Sequence, residues 1–555
     1  VHELTHAVHL DQVRGLPLVG QTIFGNMPFF IPNLFNPSWA LEGLAVQVES
    51  ASSGAQAHGD DPWSGRGRLY SPAYETWLRA ERERGFISLR ELNANGRALR
   101  LSKQYLYGAY FYDFLARRFG ADAPQRWVTQ YSGNLVPRLY SNPVAITGQS
   151  LDVLWDEFLA DLSAQVDARA AMVRRQPETV GQALTEPLMR IPSLAMQADG
   201  SLLAVLDDGL NRPRLVRFAA DGRRSDLAEV NAMARVTTAP DGRVLVAQPD
   251  LCDAWTLAYD LYVLRDGTLQ PLTDCARLRR AVFAGEGVQA GIAALKHDAG
   301  STRLVWLDAQ GGHEQLLYAP PPDVELSDLA AHAGQVSVVA HRAAASVSPE
   351  GAWPQADWRI LQFDLARPQE PPRTLLRRDR PIHGLNQDRD GLTMILADDG
   401  EPNVWRLDGG GLQRWSHAHT GVAAQSGRAT DGSLGLVTVV PGGYELRRMS
   451  GTASLASHAA PTPEVRPWSV SDVEVPESQE SLGAARPYAA WRSMYPRWWW
   501  PVLVSDHGLF TVGAQTSGGD ALGWHQYLAT VAAETSQHEA VGSVEYLYRG
   551  QHHLS

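Results

Sequence analysis

Ala198-Asp199-Gly200 and Pro240-Asp241-Gly242 open a series of glycine positions that decides how the middle of this chain folds. Gly287, Gly334, Gly391 and Gly432 continue it, each following one short alternating run and preceding another. Asp stands directly before Gly200, Gly242, Gly391 and Gly432. The successive spacings of 42, 45, 47, 57 and 41 residues each suit one four-stranded propeller blade. A later strand recurs in every repeat, from Arg214–Phe218 in the first to residues 444–449 in the last. The long fourth repeat predicts an insertion over residues 343–357. Six blades are expected, with the sixth the least regular.

Upstream, the period is helical. His2-Glu3-Leu4-Thr5-His6 is an HExxH motif, with two imidazoles four residues apart and therefore on one helix face. Zinc accepts two such neutral nitrogens and leaves room for a third protein ligand and a water. Glu3, beside His2, is placed to take that water's proton. The stretch 15–37 reads as an apolar loop, and Asn36-Pro37 as N-cap and first helical residue of the next helix. That helix, 38–49, sets Glu42 beside an apolar stripe of Leu41, Leu44, Ala45 and Val48. A carboxylate there needs a partner, and a zinc ion on His2 and His6 would satisfy it. Residues 50–70 read as a loop. Further helices are expected at Pro72–Arg84, 105–119, Ala123–Tyr131 and 151–174, with a linker at 174–181.

Downstream, a Pro-rich linker at 461–487 leads to a different tail. Trp491, Trp498, Trp499 and Trp500 stand among Arg and Pro, followed by three alternating segments at 508–517, 524–534 and 541–549. In the last, Val544, Tyr546 and Tyr548 face one way and Ser543 and Glu545 the other. Aromatic clusters beside ten-residue alternating strands mark an outer-membrane barrel with an aromatic girdle. The Trp cluster reads as a membrane-interface belt, with the core of a small β domain as a close alternative. Three strands cannot close a barrel, and HExxH begins at residue 2, so the chain is expected to be a fragment at both ends.

At 555 residues the chain is too long for one core. A net charge of −12 without a Lys/Arg block excludes a nucleic-acid surface. Cys252 and Cys275 form either a disulfide or two buried thiols.

The paired motifs HELTHAVH at 2–9 and Pro37-Ser38-Trp39-Ala40-Leu41-Glu42-Gly43-Leu44-Ala45 resemble the signature of gluzincin metallopeptidases of the bacterial peptidase MA-like type. That resemblance implies one zinc ion on His2, His6 and Glu42, with Glu3 as catalytic base. Tyr105-Leu106-Tyr107-Gly108-Ala109 is similar to the Y-x-x-G-A of related aminopeptidases, which implies Tyr105 as oxyanion donor, with Tyr107 and Tyr110 as neighbours open to confusion with it. Two departures stand against the aminopeptidases. Glu42 follows His6 by 36 residues, a wider gap than theirs, and the strands that precede their HExxH are absent, so their specificity does not carry over. Glu49 reads as a carboxylate orienting a ligand histidine or as a solvated side chain, and His9 as an alternative third ligand to Glu42. The middle resembles TolB-like propellers, and the tail the start of surface-antigen-type outer-membrane barrels.

The expected chain is multidomain. Residues 1–178 form a mainly α-helical zinc-peptidase domain (a truncated gluzincin), 179–460 an all-β six-bladed propeller, 461–487 a linker and 488–555 the antiparallel strands of a partial barrel. The expected activity is zinc-dependent hydrolysis of a peptide or protein substrate at the periplasmic side of the outer membrane. The C-terminal strands would contact that membrane, and the propeller offers a surface to a protein partner. The alternative is a non-catalytic binding, assembly or export-adaptor protein built on propeller and barrel.

Overall fold

The computed structural model describes the chain except residues 53–66, 95–101, 136–141, 254–255, 286–289, 299, 343–356, 452–454, 456–486, 507–508, 536–537 and 550–555. The expected insertion at 343–357 and linker at 461–487 lie almost wholly outside the described residues, as do Gly287 and most of the 50–70 loop. Nine α-helices are described: α1 (His2–Asp11), α2 (Gly15–Phe24), α3 (Ser38–Ser52), α4 (Pro72–Arg84), α5 (Leu89–Asn93), α6 (Lys103–Phe119), α7 (Ala123–Tyr131), α8 (Asn142–Thr147) and α9 (Leu151–Val173). The remaining structure is mostly β, in seven four-stranded antiparallel sheets. The chain divides into two compact units, one of residues 1–45, 111–158 and 471–555, the other of 46–110 and 159–470.

The second unit holds six of the sheets. Their first strands, Arg190–Met196, Arg235–Thr238, Leu278–Ala284, Val324–His332, His383–Asp388 and Val422–Arg428, adjoin one another in that order, and the last returns to the first. Six sheets joined in a ring make a six-bladed propeller. The glycine series marks the turn between the first and second strands of the blades. Gly200 and Gly242 take φ of 78° and 88°, where a side chain would be strained. The preceding aspartates close these turns: Asp199 Oδ1 accepts from the Ser201 amide at 2.9 Å and Asp241 Oδ1 from the Arg243 amide at 3.1 Å.

The sixth repeat is the least regular because its own sequence supplies only three strands. The fourth is Gln182–Ala183, from ahead of the first blade, pairing Gln182 with Arg448 and Ala183 with Arg447. Buried aliphatic side chains fill the clefts between blades, as where Ala293, Leu295 and Leu304 meet Leu326, Val336 and Val338. Cys252 and Cys275 form a disulfide across one blade's loops, with Cα atoms 5.3 Å apart, and Cys275 is exposed.

The first unit is built on aromatic packing. Trp39, Phe111, Tyr112, Trp127, Trp155 and Phe158 are buried together, with ring centroids of Trp39 and Phe111 5.4 Å apart and of Trp155 and Phe158 5.0 Å apart. Three expectations are corrected here. Residues 15–37 are not a loop: they form α2 and two 3-10 turns, Pro28–Phe30 and Pro32–Phe35, each led by a proline whose missing N–H costs nothing at that position. Asn36 does not cap α3, because the helix starts at Ser38 and the Pro37 carbonyl accepts from the Ala40 and Leu41 amides. The tail has four strands rather than three, since the Trp cluster itself lies in one.

Those four strands, Trp498–Asp506, Leu509–Gly519, His525–Glu534 and Glu539–Tyr548, pair in sequence order as an open sheet. No closed barrel forms among the described residues. Trp499 and Trp500 pack on Phe24 at 5.1 and 5.3 Å, and Trp499 Nε1 donates to the Ile23 carbonyl, so α2 holds the start of the sheet.

Candidate metal centre

His2 and His6 stand one turn apart on α1, and Glu42 lies in the first half of α3. His2 Nε2 is 3.2 Å and His6 Nε2 3.1 Å from Glu42 Oε2, and the two nitrogens are 3.2 Å apart. Three ligand atoms thus form a nearly equilateral triangle. A tetrahedral zinc ion with bonds of about 2.05 Å has ligand-to-ligand edges of about 3.3 Å, so the triangle fits three corners of such a site. Among the described residues this is the one group of His, Cys, Asp and Glu side chains that could hold a metal ion. All three are half-buried, and Glu3 beside them is exposed. Donor identity, count and spacing match a catalytic zinc centre with one position left open.

Side chains that sequence reasoning did not single out hold this geometry. Trp39, three residues before Glu42, is fully buried in the aromatic cluster and anchors that part of α3. Asn33 is fully buried, and its amide donates to the carbonyls of His9 (3.0 Å) and Gln12 (3.1 Å), closing the end of α1. The Asn36 amide donates to Asn33 Oδ1 at 3.1 Å. The signal was present: two asparagines in an otherwise apolar stretch must find partners when buried.

His9 is not a third ligand. It is buried beside Asn36, whose Nδ2 is 3.5 Å from its Nε2, and burial lowers its pKa to about 4. Glu49 belongs to the second unit and is paired there with Arg68 instead of standing free in solvent. Arg68 engages it through Nε to Oε1 at 2.9 Å, Nη2 to Oε2 at 2.8 Å and its backbone amide to Oε1 at 3.3 Å. Tyr105 also belongs to the second unit, with the Arg68 guanidinium 5.2 Å from its ring centroid. Its two neighbours have structural partners. Tyr107 is fully buried and accepts from the Ile87 amide, while the Tyr110 hydroxyl donates to the Leu69 carbonyl at 2.9 Å.

No family model matches the chain, and no curated protein matches it. Among solved structures it is similar to a putative TolB from Agrobacterium tumefaciens, at 11% identity and a TM-score of 0.32, over 48% of this chain and 91% of that one. It is similar to TolB from Acinetobacter baumannii, at 11% identity and a TM-score of 0.29, over 46% and 69%. A puromycin hydrolase matches at 13% identity and a TM-score of 0.30, over 63% and 60%. The propeller assignment itself rests on strand order and ring closure.

Proposed function

We propose that this chain is a zinc-dependent peptidase whose metal is held by His2, His6 and Glu42. The observation that carries the reading is the convergence of the three ligand atoms to mutual distances of 3.1–3.2 Å. Zinc bound there would supply Lewis acidity, lowering the pKa of a bound water and polarising a scissile carbonyl. Glu3 follows His2 directly and is open to solvent, as a proton carrier must be. In the proposed reaction its carboxylate takes the proton of the attacking water and returns it to the leaving amine. The resemblance adds Tyr105, whose hydroxyl would donate to the oxyanion. Replacing Tyr105 with Phe should then lower kcat by roughly 100-fold with zinc content unchanged.

The experiment is hydrolysis of an unstructured protein substrate by Glu3→Gln, with zinc content measured in parallel. The reading expects zinc to be retained and hydrolysis to fall at least 100-fold. Hydrolysis at the wild-type rate would refute the mechanism. A folded chain without affinity for zinc would favour the binding or assembly alternative.

A cell-envelope location at the outer membrane, on its periplasmic side, is part of the same proposal, and the last sheet supports it. Leu503, Val512, Val531, Val544 and Tyr546 share one face by register, and Val531 and Val544 are 67% and 75% exposed. The opposite face is mixed, with Gln515, Thr530, Ser543 and Glu545 beside Val504, Val541 and Leu547. Lipid requires an apolar face on the strands it touches, and exposed Val531 and Val544 supply one.

A further inference from the structure

The propeller carries a second candidate site along its axis. A cavity of about 840 Å³ follows the six inner strands. Such a volume suits a small ligand or a short peptide segment. Three charged side chains and one imidazole come from four successive inner strands: Arg235, Arg280, Asp328 and His383. Asp328 is fully engaged. Its Oδ1 accepts from Arg280 Nη1 at 2.6 Å and from the Leu329 amide at 2.9 Å, and its Oδ2 accepts from the Leu385 amide at 3.0 Å.

Arg235 has no such partner. Its guanidinium donates to the Pro192 carbonyl, and it makes no ion pair among the described residues. A guanidinium has five N–H donors, so most of this fork remains for a ligand. Confinement among the inner strands, and then the like charge of Arg280, lowers the Arg235 pKa to about 10, which leaves it charged at neutral pH. His383 reaches the cavity's solvent, and burial pushes its pKa down, so it adds no charge there at neutral pH. Two arginines and one aspartate leave this part of the cavity with a single positive charge.

We propose that the axial cavity of the propeller binds a carboxylate-bearing ligand through the guanidinium of Arg235. The planar fork matches a carboxylate with two parallel hydrogen bonds. One negative charge cancels the one positive charge. A phosphate dianion would instead leave excess negative charge enclosed beside Asp328, at a cost in a low-dielectric cavity. The source is either the C-terminus of a peptide or a small organic acid, and the two share this chemistry.

Calorimetric titration of the full chain at low salt tests the proposal, with acetyl-trialanine as the free acid, its C-terminal amide, propionate and inorganic phosphate as probes. The free acid, propionate or both should bind. The amide should bind at least tenfold more weakly than the free acid, and phosphate should not displace a bound carboxylate. Arg235→Gln should weaken binding at least tenfold, and Arg235→Lys, which keeps the charge but loses the fork, should fall between. Tighter binding of the tripeptide acid than of propionate would identify a chain terminus as the source, and the reverse a small acid; both support the proposal. Loss of binding in Arg235→Gln counts only if its thermal unfolding midpoint is at or above wild type, as removal of an unpaired confined charge predicts; otherwise Arg235→Lys decides. Equal affinity for the amide, displacement by equimolar phosphate, unchanged binding in Arg235→Gln, or no binding at millimolar concentrations would overturn it.

Discussion

Asn33 holds the end of the helix that carries His2 and His6 without touching either imidazole. Its amide satisfies two carbonyls at the end of α1 from within a fully buried position. Asn33→Ala removes both bonds and leaves the His9 carbonyl only the long 3.4 Å bond from the Gln12 amide, which should cost about 2–3 kcal/mol in denaturant unfolding. It should also weaken zinc affinity about tenfold or more, because the helix carrying His2 and His6 loses its orientation. His9 sets a pH dependence whose sign follows from its burial. Its folded pKa of about 4 lies below the ordinary 6.5, so the unfolded chain takes the proton first as pH falls. Stability contributed by neutral His9 is present above about pH 6.5 and is lost between 6.5 and 4, by roughly 3 kcal/mol in all. With metal chelated, His9→Gln should flatten the stability profile across that window, read by urea midpoints at pH 7 and pH 4.5. The HExxH helix and the approach of Glu42 to His2 and His6 were legible from the paired motifs. That Asn33 needs a partner was legible, but not which one, because that depends on where a turn of chain 21 residues beyond Gln12 comes to rest.

At the scale of elements, amphipathic helices were the most legible, and α4 and α7 run over the predicted residues. The stretch 15–37 was misread because its apolar residues follow no clean helical period, and its prolines signal turns and 3-10 starts alike. The composite sixth blade could not be read locally, since its outer strand is about 260 residues away from its pairing partner. That closure leaves little room at Gly181, where φ is 75° and an added Cβ would sit 2.1 Å from the Arg448 carbonyl oxygen. Gly181→Ala should therefore lower the propeller's unfolding midpoint by several degrees, about 1–3 kcal/mol of strain. A similar substitution at Gly200, where nothing lies within 4 Å of the added atom, should cost only its φ penalty, on the order of 1 kcal/mol. The C-terminal sheet makes a separate prediction. Val531→Asp with Val544→Asp should reduce flotation of the full chain with phosphatidylcholine vesicles severalfold, whereas Ser543→Asp on the polar face should not. Equal losses from both faces would show that lipid does not select the apolar side.

For the whole molecule, the buried charges of the second unit show how helices and propeller strands are held together within it. Arg79 bonds Glu75 at 2.7 Å and Glu401, while Arg169 reaches the same two carboxylates at 2.9 and 3.0 Å. Arg79, Glu75 and Glu401 are all nearly inaccessible, and burial pushes both carboxyls upward against the pull of the arginines. Arg79→Met should therefore destabilise this unit by about 3–5 kcal/mol in urea, because it leaves two buried carboxylates sharing the one Arg169 guanidinium. Adding Glu401→Leu should recover part of that loss. Equal stability of Arg79→Met and wild type would mean that the cluster contributes specificity alone. Only the i,i+4 pair Glu75–Arg79 follows a local pattern; the others were not legible, since 322 residues separate Arg79 from Glu401. The triangle of His2, His6 and Glu42 spans only 40 residues, which is why motif spacing could reach it. Its most direct test is zinc stoichiometry and affinity, by elemental analysis and competition with a chelator, in the full chain and in His6→Ala, Glu42→Ala and Glu3→Gln. The account predicts one zinc ion per chain, loss of at least 100-fold in affinity for His6→Ala and Glu42→Ala, and near wild-type affinity for Glu3→Gln. Zinc binding that survives both ligand substitutions, or a folded wild-type chain that binds no zinc, would contradict it.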